Sequence, residues 1–276
     1  MLPHSRILLV QHQPGLNRHF PLGLGYVAGA LQSNGHRVEF IDLALNRNPL
    51  RALRSCIRTF RPHVLGFTLW TWTHDVFVDL MSGLPERKGL VVVAGGPHAS
   101  VEAESVLRSG CVDVVVRQEG EALAPGLFKV LAERGDLNEV PGIAFLKEDG
   151  SFVQTPEGPV VTDLDHLPDI PYTLFPLHCY NDVIRGRRAI NLQTSRGCPY
   201  NCVFCYRGPA AGRRFRCRSP RNVIRDLELL HDRYGFESFA FFDDIFSLDR
   251  ERALELCRRM AALPWRPSWV CQTRVD

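Results

Sequence analysis

Short apolar runs alternate with segments of helical spacing through the first half of the chain. RILLVQ (6–11), VEFIDLA (38–44), VLGFTLW (64–70), LVVVAGG (90–96) and VDVVVRQ (112–118) are strand-length and largely β-branched. LGLGYVAGALQSNG (22–35), LRALRSCIRTF (50–60), HDVFVDLMSGL (74–84), SVEAESVLRSG (100–110) and EALAPGLFKVLAERG (121–135) lie between and after them as predicted helices. Near-continuous apolar strands separated by helices predict a parallel sheet covered on both faces, a doubly wound, Rossmann-like α/β domain. In such folds a ligand sits beyond the carboxyl ends of the strands.

Those ends read HQPGLNRHFPLG, TLWTWTH, GGPHAS and RQEGE, rich in glycine, hydroxyls and small residues that let a backbone approach a large ligand. The dinucleotide fingerprint G-x-G-x-x-G is absent after the first strand, since Gly23 and Gly25 lie well into the next segment. That argues against a nicotinamide or flavin dinucleotide. IAFLKEDGSFVQT (143–155) predicts a hairpin around Asp149-Gly150, and the proline-rich stretch after it predicts a linker.

The second half begins another β/α series. AINLQTS (189–195) is a strand, and SPRNVIRDLELLHDRYG (219–235) a helix with Ser219 as N-cap, Pro220 at its first position and Gly235 as its stop. SFAFFDDIFS (238–247), DRERALELCRRMAAL (249–263) and SWVCQTRVD (268–276) continue as strand, helix and strand. The expected divisions are 1–140, a linker with its hairpin at 141–187, and a second domain at 188–276. Three βα units do not close a barrel and leave the last strand with an open edge, so either the chain is truncated within a barrel or its missing part comes from elsewhere.

Composition narrows the function classes. The 276 residues are 45% hydrophobic and 23% charged, with a formal net charge of +3, too small to imply nucleic acid as a partner. No apolar run reaches the roughly 18 residues of a membrane span, and the first residues lack a signal-peptide pattern. Nine cysteines without an export signal fit a reducing, cytoplasmic setting, where thiols are buried, catalytic or metal-bound.

Three of them stand in TSRGCPYNCVFCYRG (194–208), directly after the 189–195 strand. Structural zinc usually takes four ligands as two close pairs, and adding Cys217 to Cys198, Cys202 and Cys205 does not give that spacing. Buried structural cysteines are a second reading, although a loop with Pro199, Tyr200 and Asn201 is a poor core segment. The favoured reading is an iron–sulfur cluster held by three thiolates, with one iron left open for a small molecule.

This stretch resembles the C-x-x-x-C-x-aromatic-C signature of the radical S-adenosylmethionine enzymes. The resemblance implies a [4Fe–4S] cluster on Cys198, Cys202 and Cys205, with S-adenosylmethionine chelated at the open iron and cleaved by one electron. It implies a partial (β/α)6 barrel with the cluster loop after its first strand, and places Phe204 beside the adenine. Where the family often has G-G-E at the end of the second strand, this chain has Asp243 and Asp244, expected to face the methionine ammonium or else to cap the next helix with Ser247 and Asp249. Arg274 is a candidate for the methionine carboxylate or a ribose hydroxyl, with an ordinary strand arginine as the alternative.

A Rossmann-like domain, a linker and then the cysteine loop resembles the cobalamin-binding subfamily. That implies a corrinoid over the carboxyl ends of the first sheet, with Thr68, Thr71 and Thr73 as contacts for its nucleotide tail and Gly95 and Gly96 admitting its approach. His12 opens an H-x-x-G but has Val10 where many cobalamin domains carry an aspartate, so it is kept as a contact while cobalt ligation by it is not expected. His98 is expected to be a loop or core histidine, and Trp70 and Trp72 to be packing residues. Arg185, Arg187, Arg188, Arg196, Arg207, Arg213, Arg214, Arg216 and Arg218 crowd the cluster loop; a solvated loop is preferred over a docking patch.

The expected activity is radical chemistry, with methyl transfer to an unactivated carbon first and oxidative cyclisation or rearrangement next. A non-catalytic iron–sulfur or zinc fragment is the rival from another class. The expected partners are a small-molecule or peptide substrate and an electron donor such as flavodoxin or ferredoxin.

Overall fold

The apolar runs of the first half become strands, and all but the edge strand are buried on both faces. In the computed structural model, which describes residues 5–275 apart from 14, 16, 17, 88 and 206–212, β1 (Arg6–Gln11) is central in this respect. Its Ile7 and Leu9 enter one buried cluster with α1 (Leu22–Ser33), while Leu8 and Val10 enter another with α2 (Pro49–Phe60). The two-residue period of a strand thus builds two cores at once. Parallel to β1 run β2 (Arg37–Asp42) on one side and β3 (Val64–Thr68) on the other. After α3 (His74–Ser82) come β4 (Val91–Gly95), α4 (Pro97–Val101) and α5 (Ala103–Arg108). β5 (Val114–Val116) and α6 (Gly120–Glu133) follow.

The helix expected at 100–110 is divided at Glu102, whose backbone is non-helical, and starts earlier because Pro97 occupies its first position. Gly96 makes that start possible. Its φ of +94° is costly for other residues, and a Cβ there would lie 2.9 Å from the Leu69 carbonyl oxygen.

The hairpin is present as β6 (Ile143–Leu146) and β7 (Phe152–Gln154), with Gly150 at φ +80° in its turn. It extends the first sheet, since β6 pairs antiparallel with β5, giving the order β2-β1-β3-β4-β5-β6-β7. The linker then crosses α1 closely at Gly29, where a Cβ would lie 2.5 Å from the Asp169 carbonyl oxygen. Its aromatics Tyr172, Phe175 and Tyr180 pack around Phe20, with Phe20 edge-on to Phe175 at 5.1 Å between centroids.

Through those rings the first core continues into a second sheet, ordered β13-β12-β9-β8. β8 (Val183–Ile184) and β9 (Arg187–Leu192) form an antiparallel pair. A short ribbon of β10 (Ser195–Arg196) and β11 (Arg216–Cys217) brackets the cysteine loop. α7 (Pro220–Tyr234) has the expected ends, with the Ser219 hydroxyl accepting from the Asn222 amide and Gly235 left-handed. β12 (Ser238–Phe241) pairs parallel with β9 and with β13 (Ser268–Cys271). α8 (Arg250–Ala262) between them is capped by Asp249, which accepts from the Arg252 amide. No helix among the described residues is long and apolar enough to cross a membrane.

Asp42, at the carboxyl end of β2, shows what burial costs a carboxylate. It is 6% exposed and accepts from the Ala44 amide, and burial pushes its pKa up to about 6 from 3.8, against the pull of that amide and of Arg18. A raised folded-state pKa means stability is lost as pH rises from 3.8 through 6. Asp42→Asn keeps the acceptor for Ala44 without the charge. It is expected to stabilise the chain by about 3 kcal/mol above pH 6, with the gain fading to nothing near pH 3.8. Denaturant unfolding at both ends of that range checks this; a pH-independent gain would remove the charge as its cause.

Candidate functional site

The cysteine loop leaves β9 through a turn held from below. Asn191, 1% exposed, donates its amide to the Phe20 carbonyl of the first domain. Asp243, also 1% exposed, receives four hydrogen bonds: Thr194 N at 2.6 Å, Thr194 Oγ1 at 2.5 Å, Ser195 N at 3.0 Å and Ser195 Oγ at 2.9 Å. Burial pushes the Asp243 carboxyl above its ordinary value, with these hydrogen bonds pulling against it. Arg252 of α8 closes the turn from the other side, donating to the carbonyls of Thr194 and Arg218 at 2.8 and 2.7 Å. Gly197, at φ +82°, donates its amide to Asp244 Oδ2 at 2.8 Å and delivers the chain to Cys198.

Cys198 and Cys202 are half-buried and Cys205 is exposed, with the Cys205 amide on the Cys202 carbonyl at 3.1 Å. Arg274, just past β13, reaches across to donate to Cys202 Sγ at 3.2 Å and lies 4.0 Å from the Tyr200 ring centroid. Val203 and Phe204 are almost fully exposed. None of the nine cysteines is in a disulfide. No group of three or more His, Cys, Asp or Glu side chains forms a metal site among the described residues. A cubane takes one thiolate per iron, so its donors need not converge on a point. The donor set, three accessible or half-accessible thiols at a strand's carboxyl end, fits such a cluster. Cys217 faces a different role, its backbone paired with Ser195 and its thiol pushed up by burial.

The structure separates the two aspartates that the sequence leaves equivalent. Asp243 has both oxygens taken up by Thr194 and Ser195, filling the lone-pair directions a carboxylate offers, so it shapes the loop and is not placed to receive an ammonium. Asp244 is exposed and uses Oδ2 on the Gly197 amide, one residue from Cys198. Neither caps α8, which is the work of Asp249.

At the carboxyl ends of the first sheet, His12 is buried with Nδ1 unpartnered, and burial lowers its pKa, keeping the imidazole neutral. A neutral imidazole is the ligating form, but no carboxylate among the described residues orients this one, in line with the Val10 departure. Thr73 is buried and its hydroxyl is shared between the Trp70 amide and carbonyl, so it caps a turn and is not placed for a ligand. Thr71 is exposed and holds His98 Nδ1 at 3.3 Å, and Thr68 is half-buried against Gly96. Gly95 has only Val116 within 4 Å of an added Cβ. Trp70 and Trp72 stack at 5.0 Å with Trp72 59% exposed, so this pair presents an indole face as well as packing. An exposed indole, a hydroxyl and open glycine at one edge fit a large planar ligand.

The arginines expected to form a solvated loop divide into two groups. Arg196, Arg216 and Arg218 are buried in ion pairs, whereas Arg185, Arg187, Arg188, Arg213 and Arg214 are exposed and Arg207 lies outside the described residues. Arg218 pairs with Asp226 of α7 at 2.7 Å. Arg196 pairs with Glu121 and Glu119, and Arg216 pairs with Glu119 at 2.8 Å and with the Val161 carbonyl at 2.5 Å. Burial pushes the Glu119 carboxyl up, but Arg216, Arg196 and the Val161 amide outweigh it and hold the pKa below the ordinary value. The arginine partners of E-G-E (119–121), the end of RQEGE, lie 75 to 97 positions away, beyond the reach of local sequence pattern.

Residues 16–128 match the family model described as the B12 binding domain. The chain is 32% identical over 258 residues to an uncharacterised methyltransferase of Pyrococcus horikoshii, a match that takes in 93% of this chain and 55% of the relative. It is 30% identical over 263 residues to the anaerobic magnesium-protoporphyrin IX monomethyl ester cyclase of a Synechocystis strain, covering 93% of this chain and 51% of the cyclase. The chain thus spans about half the length of these curated relatives. Among solved structures, the cobalamin-dependent S-adenosylmethionine radical enzyme OxsB superposes with a TM-score of 0.78 at 19% identity, over 97% of this chain and 38% of that one. The second sheet, with the cysteine loop after its first long strand, is therefore part of a radical S-adenosylmethionine (β/α)6 barrel fold. By its matched domain and by its fold, the chain joins a B12 binding domain to part of a radical S-adenosylmethionine enzyme fold.

Proposed function

We propose that this chain serves cobalamin-dependent radical S-adenosylmethionine catalysis, with methyl transfer to an unactivated carbon of a small molecule or peptide as its reaction. The observation that carries the reading is the three-cysteine loop at the carboxyl end of β9, its root tied by Arg196 to the turn after β5 in the matched B12 binding domain. When bound, a [4Fe–4S] cluster supplies the electron that cleaves S-adenosylmethionine and a corrinoid carries the methyl group.

This chain's residues divide that work. Cys198, Cys202 and Cys205 hold the cluster. Asp244 sets its negative charge beside Cys198 to receive the methionine ammonium, and Arg274 sets its positive charge beside Cys202 to receive the carboxylate. The exposed Phe204 ring offers its face to the adenine. Thr68, Thr71, Gly95, Gly96 and Trp72 line the corrinoid side, and Asp243 positions the loop without touching ligand. A reducing, cytoplasmic setting and an electron donor of the flavodoxin or ferredoxin kind go with this chemistry.

Oxidative cyclisation is the second reading, supported by the similarity to the cyclase. The two separate by product. After anaerobic reconstitution with iron, sulfide and cobalamin, and addition of reductant, methyl transfer is expected to turn S-adenosylmethionine into S-adenosylhomocysteine, detected by mass spectrometry. Formation of 5′-deoxyadenosine alone would favour the cyclase reading. A chain that takes up zinc in place of iron, or leaves S-adenosylmethionine intact, would leave the non-catalytic metal-binding role.

A further inference from the structure

Arg196, together with Arg216, differs from the other arginines near the cysteines in where its charge goes. It lies two residues before Cys198, on β10, yet its guanidinium leaves its own domain to meet Glu121, and Glu119 at 3.2 Å, on the turn where β5 passes into α6. The Tyr26 ring of α1 lies 5.1 Å from the same guanidinium. Arg216, on the partner strand β11, binds the same Glu119. Both strands at the root of the cysteine loop are therefore fastened to one turn of the B12 binding domain.

The four side chains are between 4% and 11% exposed, and two positive charges meet two negative ones. Removing such charges from water costs about what their attraction returns, so apolar residues would hold the domains together as well. What the ion group adds is direction: the forked guanidiniums accept only one placement of the two carboxylates. That turn stands at the carboxyl end of the sheet, the side on which a doubly wound domain takes its ligand.

We propose that Arg196, Glu121, Glu119 and Arg216 couple the two cofactor sites: a corrinoid that settles the β5–α6 turn also settles the root of the cysteine loop, and the cluster does the reverse. This rests on the functional reading above. Arg196 and Glu121 are then positioning residues, and binding at one site raises affinity at the other.

The test compares cobalamin Kd for the full chain with its cluster loaded and with its cluster removed by a chelator, followed by the corrinoid visible spectrum. In the unmodified chain the loaded form is expected to bind about 5-fold or more tightly. Glu121→Gln leaves Glu119 in place for both arginines and is expected to bring that ratio close to one while each form still binds. The double variant Glu121→Gln with Arg196→Gln leaves Glu119 with Arg216 and no other charge of the group unpaired, and it is expected to give the same loss. A merely structural role would weaken both forms in parallel and keep the ratio. A ratio near one in the unmodified chain, or a ratio unchanged in both variants, overturns the coupling while cobalamin and cluster binding still stand. A chain that binds neither overturns the functional reading and the coupling together.

Discussion

Replacing any one of Cys198, Cys202 or Cys205 with alanine is expected to abolish the stable cluster. Anaerobic reconstitution of the unmodified chain should give about four irons with matching sulfide, and a reduced electron paramagnetic resonance signal that changes when S-adenosylmethionine is added. Each alanine variant should lose the signal and nearly all the iron, because two thiolates leave half the cubane's irons without protein. The fold should survive: Cys205 is exposed, Cys198 and Cys202 are half-buried, and none contributes to the core clusters. Serine at Cys56, which packs at the edge of the first domain, is the matched control and should keep its iron. A full iron complement in any of the three variants would move the cluster away from this loop.

The second large effect belongs to Asp243. Asp243→Ala leaves two buried amides and two hydroxyls without their acceptor, each at a cost of about 1–3 kcal/mol. The hydroxyls can turn to other partners, so a loss of about 4 kcal/mol in unfolding free energy is expected, with failure to retain the cluster. Asp243→Asn separates this structural role from binding of the ammonium. Its carbonyl oxygen still accepts from the Thr194 and Ser195 amides while its NH2 donates to their hydroxyls, so stability should fall by about 1 kcal/mol and iron should be kept. At Asp244 the asparagine variant should behave in the opposite way, stable but weak in S-adenosylmethionine binding. Strong S-adenosylmethionine loss in Asp243→Asn with normal stability would return Asp243 to the ligand.

Much of the architecture was legible because it is written locally. Val91–Gly95 and its neighbours are apolar on both faces, which only a covered parallel strand tolerates. Ser219, Pro220 and Gly235 mark their helix through single-residue preferences for cap, first-turn and left-handed conformations. Strand ends were less legible. The 64–70 run stops at Thr68 because Thr73 folds back onto Trp70, and the 238–247 run stops at Phe241 because Asp243 turns towards Thr194. The hairpin was visible from Asp149-Gly150, but its pairing with β5 was not, since edge pairing is settled by which sheet lies near.

What the sequence determined by itself is the chemistry available: three thiols at cluster spacing after a strand, a doubly wound domain before them, and two neighbouring aspartates and an arginine at later strand ends. Tertiary structure decided how those charges are used. Asp243 and Asp244 are adjacent and chemically identical, yet one is enclosed by Thr194 and Ser195, 49 and 48 residues earlier, and the other faces outward beside Gly197. Arg196 and Arg216, which composition places in a solvated loop, are instead buried against Glu119 and Glu121. Backbone preference and hydrophobic period act over a few residues and can be read along the chain. A charge's partner is whatever the fold brings within about 3 Å of it, and only the packed chain sets that.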